Sequence, residues 1–356
     1  MTHARTRALA LRDRFVTAGA QVVEPPILQP ADLLLDLYGE DIRARAYVTS
    51  DALRGEQMLR PDFTVPVVQM HMDTGAEPAR YTYAGEVFRR QEDDPDRANE
   101  YLQVGYEVFD RADPAAADAE VFALIADATQ GLNLRAATGD IGVLTAAVDG
   151  LDTSQRRKAA LRRHIWRPRR FRALLDRFSG RSAVPDTRAA LLAGPPHSDA
   201  PLIGLRSQAE IDARIAALHA DAAEPPIAKA QMDCLDALLN VRETLPFALA
   251  QMHDLCIDLP AIRPAVKGID ARADALAKRG IDVDGLEFET SFGRTSMEYY
   301  DGFVFGFYAD TRPDLPPVAS GGRYDALTRR LGKGQEIPAV GAVIRPGLLV
   351  ELEGAP

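Results

Sequence analysis

The chain has 356 residues and carries 42 Lys and Arg against 52 Asp and Glu, a formal net charge of −10 that argues against a dedicated nucleic-acid binder. Hydrophobic residues make up 46% and charged residues 26%, the balance of a folded chain with its own core, as one large domain with an insertion or as two domains. No stretch reaches the ~18 apolar residues of a membrane span, and Cys234 and Cys256 have neither metal nor redox spacing, which points to a reducing compartment, hence the cytoplasm.

In chain order, residues 4 to 18 read as a helix, with Leu9, Leu11, Phe15 and Val16 at roughly helical spacing; the stretch is basic and amphipathic, unlike a signal peptide. From Val22 to Phe109 short apolar or alternating runs, cut by Pro, Gly and Asp, predict antiparallel strands with one or two short helices. DPAAADAEVFALIADATQGL predicts a helix with Asp113 as N-cap, Pro114 at its first position and Gly131 beyond its end. Residues from about Thr145 to Gly280 are almost entirely helical in pattern and rich in Ala, Leu and Arg. GLEFETSF, MEYYDGFVFGFYAD, ASGGRYDAL and AVGAVI then return to strands. Strands, a helical middle and strands again predict an α+β core with an inserted helical subdomain.

The most informative stretch is Tyr83 to Glu107: a strand ending in Arg89 and Arg90, a polar loop, and a second strand. Such a hairpin projects Arg89 and Arg97 from its rim and puts Gln103 and Glu107 two pleats apart on one face, where they could hold an ammonium or an imidazole. Taken alone, that face reads first as a solvated strand face with ordinary charges. LRPDFT places Asp62 and Thr64 two residues apart, able to point at one ligand, and Tyr299, Tyr300 and the Gly321-Gly322 pair follow far downstream. Glycines in a strand let a ligand lie close to the backbone.

In this order and spacing these segments resemble a class II aminoacyl-tRNA synthetase core, specifically the histidyl-tRNA synthetase family, over residues 1 to about 145 and about 282 to 348. That family carries an LRPE-type motif, a hairpin beginning FR, a histidine loop R-G-L-D-Y-Y, and GGRYD. The resemblance implies a mostly antiparallel sheet flanked by helices, with a core of residues 1–145 and 282–356 and an insertion at 146–281. It also implies a histidine pocket of Asp62 (in place of the usual Glu), Thr64, Arg89, Gln103, Glu107, Tyr299 and Tyr300. Val22 to Pro30 falls where the family places its dimer-forming segment, which implies a homodimer.

The ATP-handling residues depart from the pattern. Thr295 stands at the histidine-loop arginine with Arg294 one place early, Gln91 replaces the hairpin acid, and Leu348 replaces the motif 3 arginine, where Arg345-Pro346 also interrupts the expected helix start. The chain stops at Pro356, where a synthetase would continue into an anticodon-binding domain. A kept histidine pocket beside a degraded ATP site resembles the regulatory subunits of short-form ATP phosphoribosyltransferase. That implies a non-catalytic partner of a catalytic subunit in histidine biosynthesis, with histidine as feedback effector and no cofactor or metal. A truncated synthetase paralogue that still activates an amino acid, and an amino-acid- or RNA-binding module, are the other readings.

Residues 156 to 177 hold ten Lys or Arg against one acid, with Trp166 and Phe171 interleaved. A helix face whose long side chains cover apolar neighbours comes first, partner docking second and RNA contact last. His71, His164, His197, His219 and His253 lack metal-ligand spacing, and the Asp93–Asp96 run reads as a solvated loop tip.

Overall fold

Alternating burial along Ala79–Phe88 and Glu100–Phe109 makes the central hairpin, in which Gly85 faces Gln103 and Tyr81 faces Glu107. The structure is a computed structural model that describes residues 2–38, 42–91, 97–194, 201, 203–294 and 298–354. Thr295, His197, the Asp93–Asp96 run and Pro356 lie outside the described residues.

The strands are β1 (Gln21–Val22), β2 (Leu28–Pro30), β3 (Val48–Asp51), β4 (Gly55–Leu59), β5 (Ala79–Phe88), β6 (Glu100–Phe109), β7 (Leu134–Asp140), β8 (Arg242–Thr244), β9 (Glu287–Glu289), β10 (Phe303–Ala309), β11 (Ala319–Arg323) and β12 (Ala339–Ile344). Among the described residues, nine form one sheet in the order β1-β5-β6-β12-β11-β10-β7-β9-β8, antiparallel except for β1 against β5 and β7 against β9. β2, β4 and β3 form a small separate sheet. The expected α+β, mostly antiparallel class II synthetase-like architecture is present.

One face of the large sheet is covered by the helices Thr2–Thr17 and Pro114–Ala128. Tyr106 of β6 meets Phe15 in a tilted contact, ring centroids 5.5 Å apart, and donates its hydroxyl to Glu120, and Phe122 packs on Phe303, Phe305 and Phe307 of β10. The N-cap was legible: Asp113 accepts from the Ala116 N–H at 3.0 Å, and Pro114 opens the helix. In the first helix Leu11 and Phe15 are buried, but Leu9 and Val16 are each 42% exposed, so the packing stripe is Ala8, Leu11 and Phe15.

Two local expectations differ from what forms. The helical middle supplies β8, which extends the large sheet through β9; a three-residue strand is too short for period-2 alternation to reveal. Pro346 does not prevent a helix but starts one, Pro346–Glu353, because proline at the first position lacks only an N–H that has no intrahelical acceptor.

The two chain halves are joined by buried charge. Arg272, on the helix Arg263–Lys278, reaches Asp118 at 3.1 Å and Asp140 at 2.6 Å, and Arg323 of β11 reaches Asp118 at 2.7 Å and Asp325 at 3.1 Å. Each of these arginines is under 10% exposed, and Arg272 also lies 4.2 Å over the Phe303 ring.

Candidate functional site

On the other face of the sheet, a cleft of about 1200 Å³ opens between β6, β10, β11 and β12 and the insertion helices. Its floor follows from β6. Gln103, Gly105 and Glu107 share the face opposite Tyr106, so period-2 alternation delivers both predicted ligands to one side.

Glu107 has no accessible surface, and three hydroxyls donate to it: Thr64 at 3.0 Å, Tyr83 at 2.8 Å and Tyr324 at 2.5 Å. Burial pushes its carboxyl up to about 7, against the pull of those hydroxyls toward the charged form, and nearby Asp62 raises it further. Glycines make the room. A Cβ on Gly341 would sit 1.4 Å from Glu107 Oε2, and one on Gly105 2.2 Å from the Tyr83 hydroxyl. Gly322 likewise leaves space for the Tyr300 ring, whose carbons would lie 2.7 Å from a Cβ there. Of the glycine pair in β11, Gly322 thus seats one predicted site residue, Tyr300, while Gly321 packs against Phe305 and Ala342.

Asp62 and Thr64 sit at the start of the helix Thr64–Thr74. Asp62 accepts from the Val65 N–H at 3.2 Å while Thr64 turns to Glu107; both are buried and both line the cleft. Gln103 is 1% exposed and lines the cleft, and its amide oxygen has no partner. Tyr299 and Tyr300 meet edge-to-face at 5.0 Å on the facing wall, and Tyr299 also meets Tyr324 at 6.1 Å. Burial holds the Tyr300 phenol well above its ordinary range, so it is a neutral donor. Arg89 donates through Nε to the Pro61 carbonyl at 2.6 Å, which fixes it at the cleft edge.

Asp62, Thr64, Arg89, Gln103, Tyr299 and Tyr300 thus line one cleft, and Glu107 lies directly behind Thr64. Asp62 and the Gln103 amide oxygen give this side of the cleft acceptors of the kind an ammonium or a ring N–H takes. Tyr83 and Tyr324 were not singled out as partners of Glu107. The signals were there, since Tyr83 alternates with Tyr81 opposite the small Gly105, and Tyr324 belongs to the GGRYD run.

The remaining wall is cationic: Arg45, Arg97, Arg167, Arg172, Arg294 and Arg345 line it beside Glu289 and Glu298. Arg97 donates to the Asp314 carbonyl at 3.0 Å. Arg345 lies 5.7 Å over the Tyr101 ring, and burial holds its guanidinium below the ordinary range. Leu348 packs against the core. In the Arg-rich segment Arg157 pairs with Asp221 at 2.7 Å, Arg162 with Asp149 at 2.5 Å, and Arg172 with Asp236; these charges serve the insertion's own packing. Among the described residues, no group of three His, Cys, Asp or Glu is placed to hold a metal ion, and no helix is long and apolar enough to cross a membrane.

Known proteins place this architecture. The histidyl-tRNA synthetase family profile matches residues 1–198 and 206–347. The ATP phosphoribosyltransferase regulatory subunit of Brucella ovis is 31% identical over 97% of this chain and 96% of its own length. That of Brucella anthropi is 32% identical over 90% of each. Among solved structures, an ATP phosphoribosyltransferase regulatory subunit/histidyl-tRNA synthetase from Bacillus halodurans shares the fold with a TM-score of 0.69 at 20% identity, covering 99% of this chain and 80% of that one. Histidyl-tRNA synthetase from Nostoc sp. PCC 7120 gives 0.65 at 17% identity, over 98% of this chain and 70% of that one. With a family profile spanning most of the chain and full-length relatives above 30% identity, the chain belongs to the histidyl-tRNA synthetase-like family, among the ATP phosphoribosyltransferase regulatory subunits.

Proposed function

We propose that this chain is the non-catalytic regulatory subunit of a cytoplasmic ATP phosphoribosyltransferase, and that it binds histidine in the cleft as feedback effector and activates a separate catalytic subunit. The observation that carries the histidine reading is the cleft floor. Asp62 supplies a carboxylate, with Glu107 buried behind Thr64, Gln103 an amide oxygen without a partner, and Tyr299 and Tyr300 phenols, which together match an ammonium and an imidazole. Control then takes the form of a coupling free energy of ~1–3 kcal/mol between this cleft and the partner's active site, histidine favouring one state of the assembly. Exposed Val22, Ile27, Leu28, Val48 and Leu53 around β1 to β3 support a homodimer within that assembly.

Calorimetric titration of the full chain with histidine, followed by ATP, tests this reading. Heat from histidine and none from ATP supports it; silence to histidine, both alone and with the catalytic subunit present, sinks it. One observation favours a second reading, a synthetase paralogue that still activates an amino acid: Arg345 and Arg97 face the same cleft and could supply the positive charge that adenylate formation demands. Histidine-dependent ATP–pyrophosphate exchange would establish that alternative.

A further inference from the structure

Away from the cleft, four helices gather charge around one carboxylate. Gln155–Arg163 brings Arg156 and Arg157, Pro168–Phe178 brings Arg177, Asp186–Ala193 brings Arg188, and Gln208–Ala223 brings Asp221. None of these five lines the cleft. One oxygen of Asp221 holds Arg157 Nε at 2.7 Å and the other holds Arg188 Nη2 at 2.6 Å; the Arg157, Arg188 and Asp221 side chains are 7%, 18% and 10% exposed. Arg157 is fixed further by the carbonyls of Asp221 at 2.6 Å and Pro225 at 2.8 Å. Its guanidinium lies 5.1 Å over the Phe178 ring, and that of Arg177 lies 4.6 Å over the same ring. Arg156 donates to the Ala217 carbonyl.

The Asp221 carboxylate is taken by Arg157 and Arg188, and Arg177 is left over. Its Nε is buried with no acceptor, and among the described residues no carboxylate forms an ion pair with it. Burial, then the like charge of Arg188, holds the Arg177 guanidinium below its ordinary range; Asp221 opposes this, and Arg157 and Arg156 add to it. Arginine stems that cover apolar neighbours explain the contact with Phe178 but not the missing counter-ion. Four guanidiniums around one carboxylate leave positive charge that partial burial makes costly and an anion relieves. Arg157 has most of its donors committed and serves as a fixed charge, whereas Arg177, Arg188 and Arg156 keep N–H groups for a ligand. Their planar forks match the oxygens of phosphate in pairs. Charge selects among anions: a carboxylate brings one unit, a phosphate group about 1.5–2, and joined phosphates more. We propose that this cluster is a ligand site of its own, in which Arg177, Arg188 and Arg156 hold a multiply charged phosphate of the pyrophosphate type against the fixed charge of Arg157. The proposal does not use the amino-acid reading of the cleft.

The test titrates pyrophosphate, inorganic phosphate and acetate into the full chain by calorimetry, without divalent cations, and records melting temperatures in parallel. Affinity should fall in that order, and pyrophosphate binding should weaken steeply with salt. Arg177→Gln should weaken pyrophosphate by roughly ten- to a hundredfold, and Arg177→Lys, which keeps the charge and loses the fork, by less. Arg156→Gln, at an exposed position, should weaken it several-fold and serves as the test should Arg177→Gln fail to fold. Arg181→Gln, whose arginine pairs with Asp233 and Asp236, should leave binding unchanged. With no anion present, Arg177→Gln should melt at or above the wild-type temperature, because it removes a buried like charge; only the wild type should then gain stability from pyrophosphate. A melting temperature several degrees lower, with pyrophosphate affinity kept, would make Arg177 a packing residue and overturn the proposal. Acetate binding as tightly as pyrophosphate overturns it, as does silence to pyrophosphate. Silence together with retention of RNA that Arg177→Gln abolishes overturns it in favour of a nucleic-acid contact.

Discussion

The sheet side and the insertion side of the cleft use charge in opposite ways. On the sheet side, ionisable groups are sealed from water and over-determined: Glu107 takes three hydroxyls, and behind the sheet Asp118, Asp140, Arg272 and Arg323 interlock. On the facing helices the pairs are mixed: Arg172 and Asp236 meet with side chains 43% and 29% exposed, whereas Arg157 and Asp221 are 7% and 10% exposed. Two buried donors of cleft-lining residues, Arg294 Nη2 and Trp166 Nε1, have no acceptor. A sealed pair is costly to break and holds one geometry, whereas an exposed pair is worth little and can re-form elsewhere. The floor is therefore preorganised, and the exposed pairs of the facing helices hold their side chains less tightly, while Arg272 and β8 tie the same stretch of chain to the sheet.

The largest expected effect comes from breaking the sealed network. Arg272→Met leaves Asp118 and Asp140 short of a cation, and urea denaturation should show a loss of about 3–5 kcal/mol. A loss below about 1 kcal/mol would erase the contrast between the two sides. Next, Gly341→Ala drives a methyl into the Glu107 carboxylate and should cost about 2–3 kcal/mol while also weakening histidine binding, read by the same denaturation and by calorimetry.

Glu107→Gln sharpens the contrast through pH. The folded-state pKa of Glu107 is about 7 against an ordinary 4.5, so between these values the native chain holds a proton that the unfolded chain does not. This contribution to stability is fully present below about pH 4.5 and is lost as pH rises through about 7, with a slope of up to roughly −1.4 kcal/mol per pH unit. Asp301, pushed up to about 7 mainly by burial, acts in the same direction. The glutamine variant should show a flatter stability–pH curve over that window; a curve parallel to wild type would mean that Glu107 is not protonated there. By the same linkage, a cationic ligand beside Asp62 and Glu107 should release a proton near pH 7, visible as a buffer-dependent binding heat. The smallest effect belongs to the insertion: Arg172→Ala should cost under about 1 kcal/mol, and less in high salt.

Legibility in the sequence followed the length and regularity of the signal. The ten-residue strands β5 and β6 and the helix Pro114–Ala128, with its Asp-Pro start, were readable because each carries a full period and a cap. β8 was not, because Arg242–Thr244 is three residues whose partner, β9, is remote in sequence. The site residues came as a motif, but what surrounds Glu107 did not: burial without a cation, and a space that depends on Gly341, are tertiary facts. Arg294 shows the same limit. Its one-place offset was visible, but its hold on Ile165 and Phe171 required the insertion to be folded against it.

The sheet order carries a further consequence, in time. β6 lies next to β12, so Glu107 emerges from the ribosome 217 residues before Tyr324, one of its three hydroxyl partners. At synthesis rates of roughly 5–20 residues per second, that gap lasts on the order of 10–40 s. Until it closes, the nascent hairpin presents the open edge of β6, an apolar face and an uncapped carboxylate, the kind of surface that chaperones occupy and neighbouring chains pair with. The arrangement that makes the cleft floor rigid in the finished protein thus makes its assembly late and non-local. Expression should accordingly be more sensitive to changes in β12 than the stability of the folded chain would suggest.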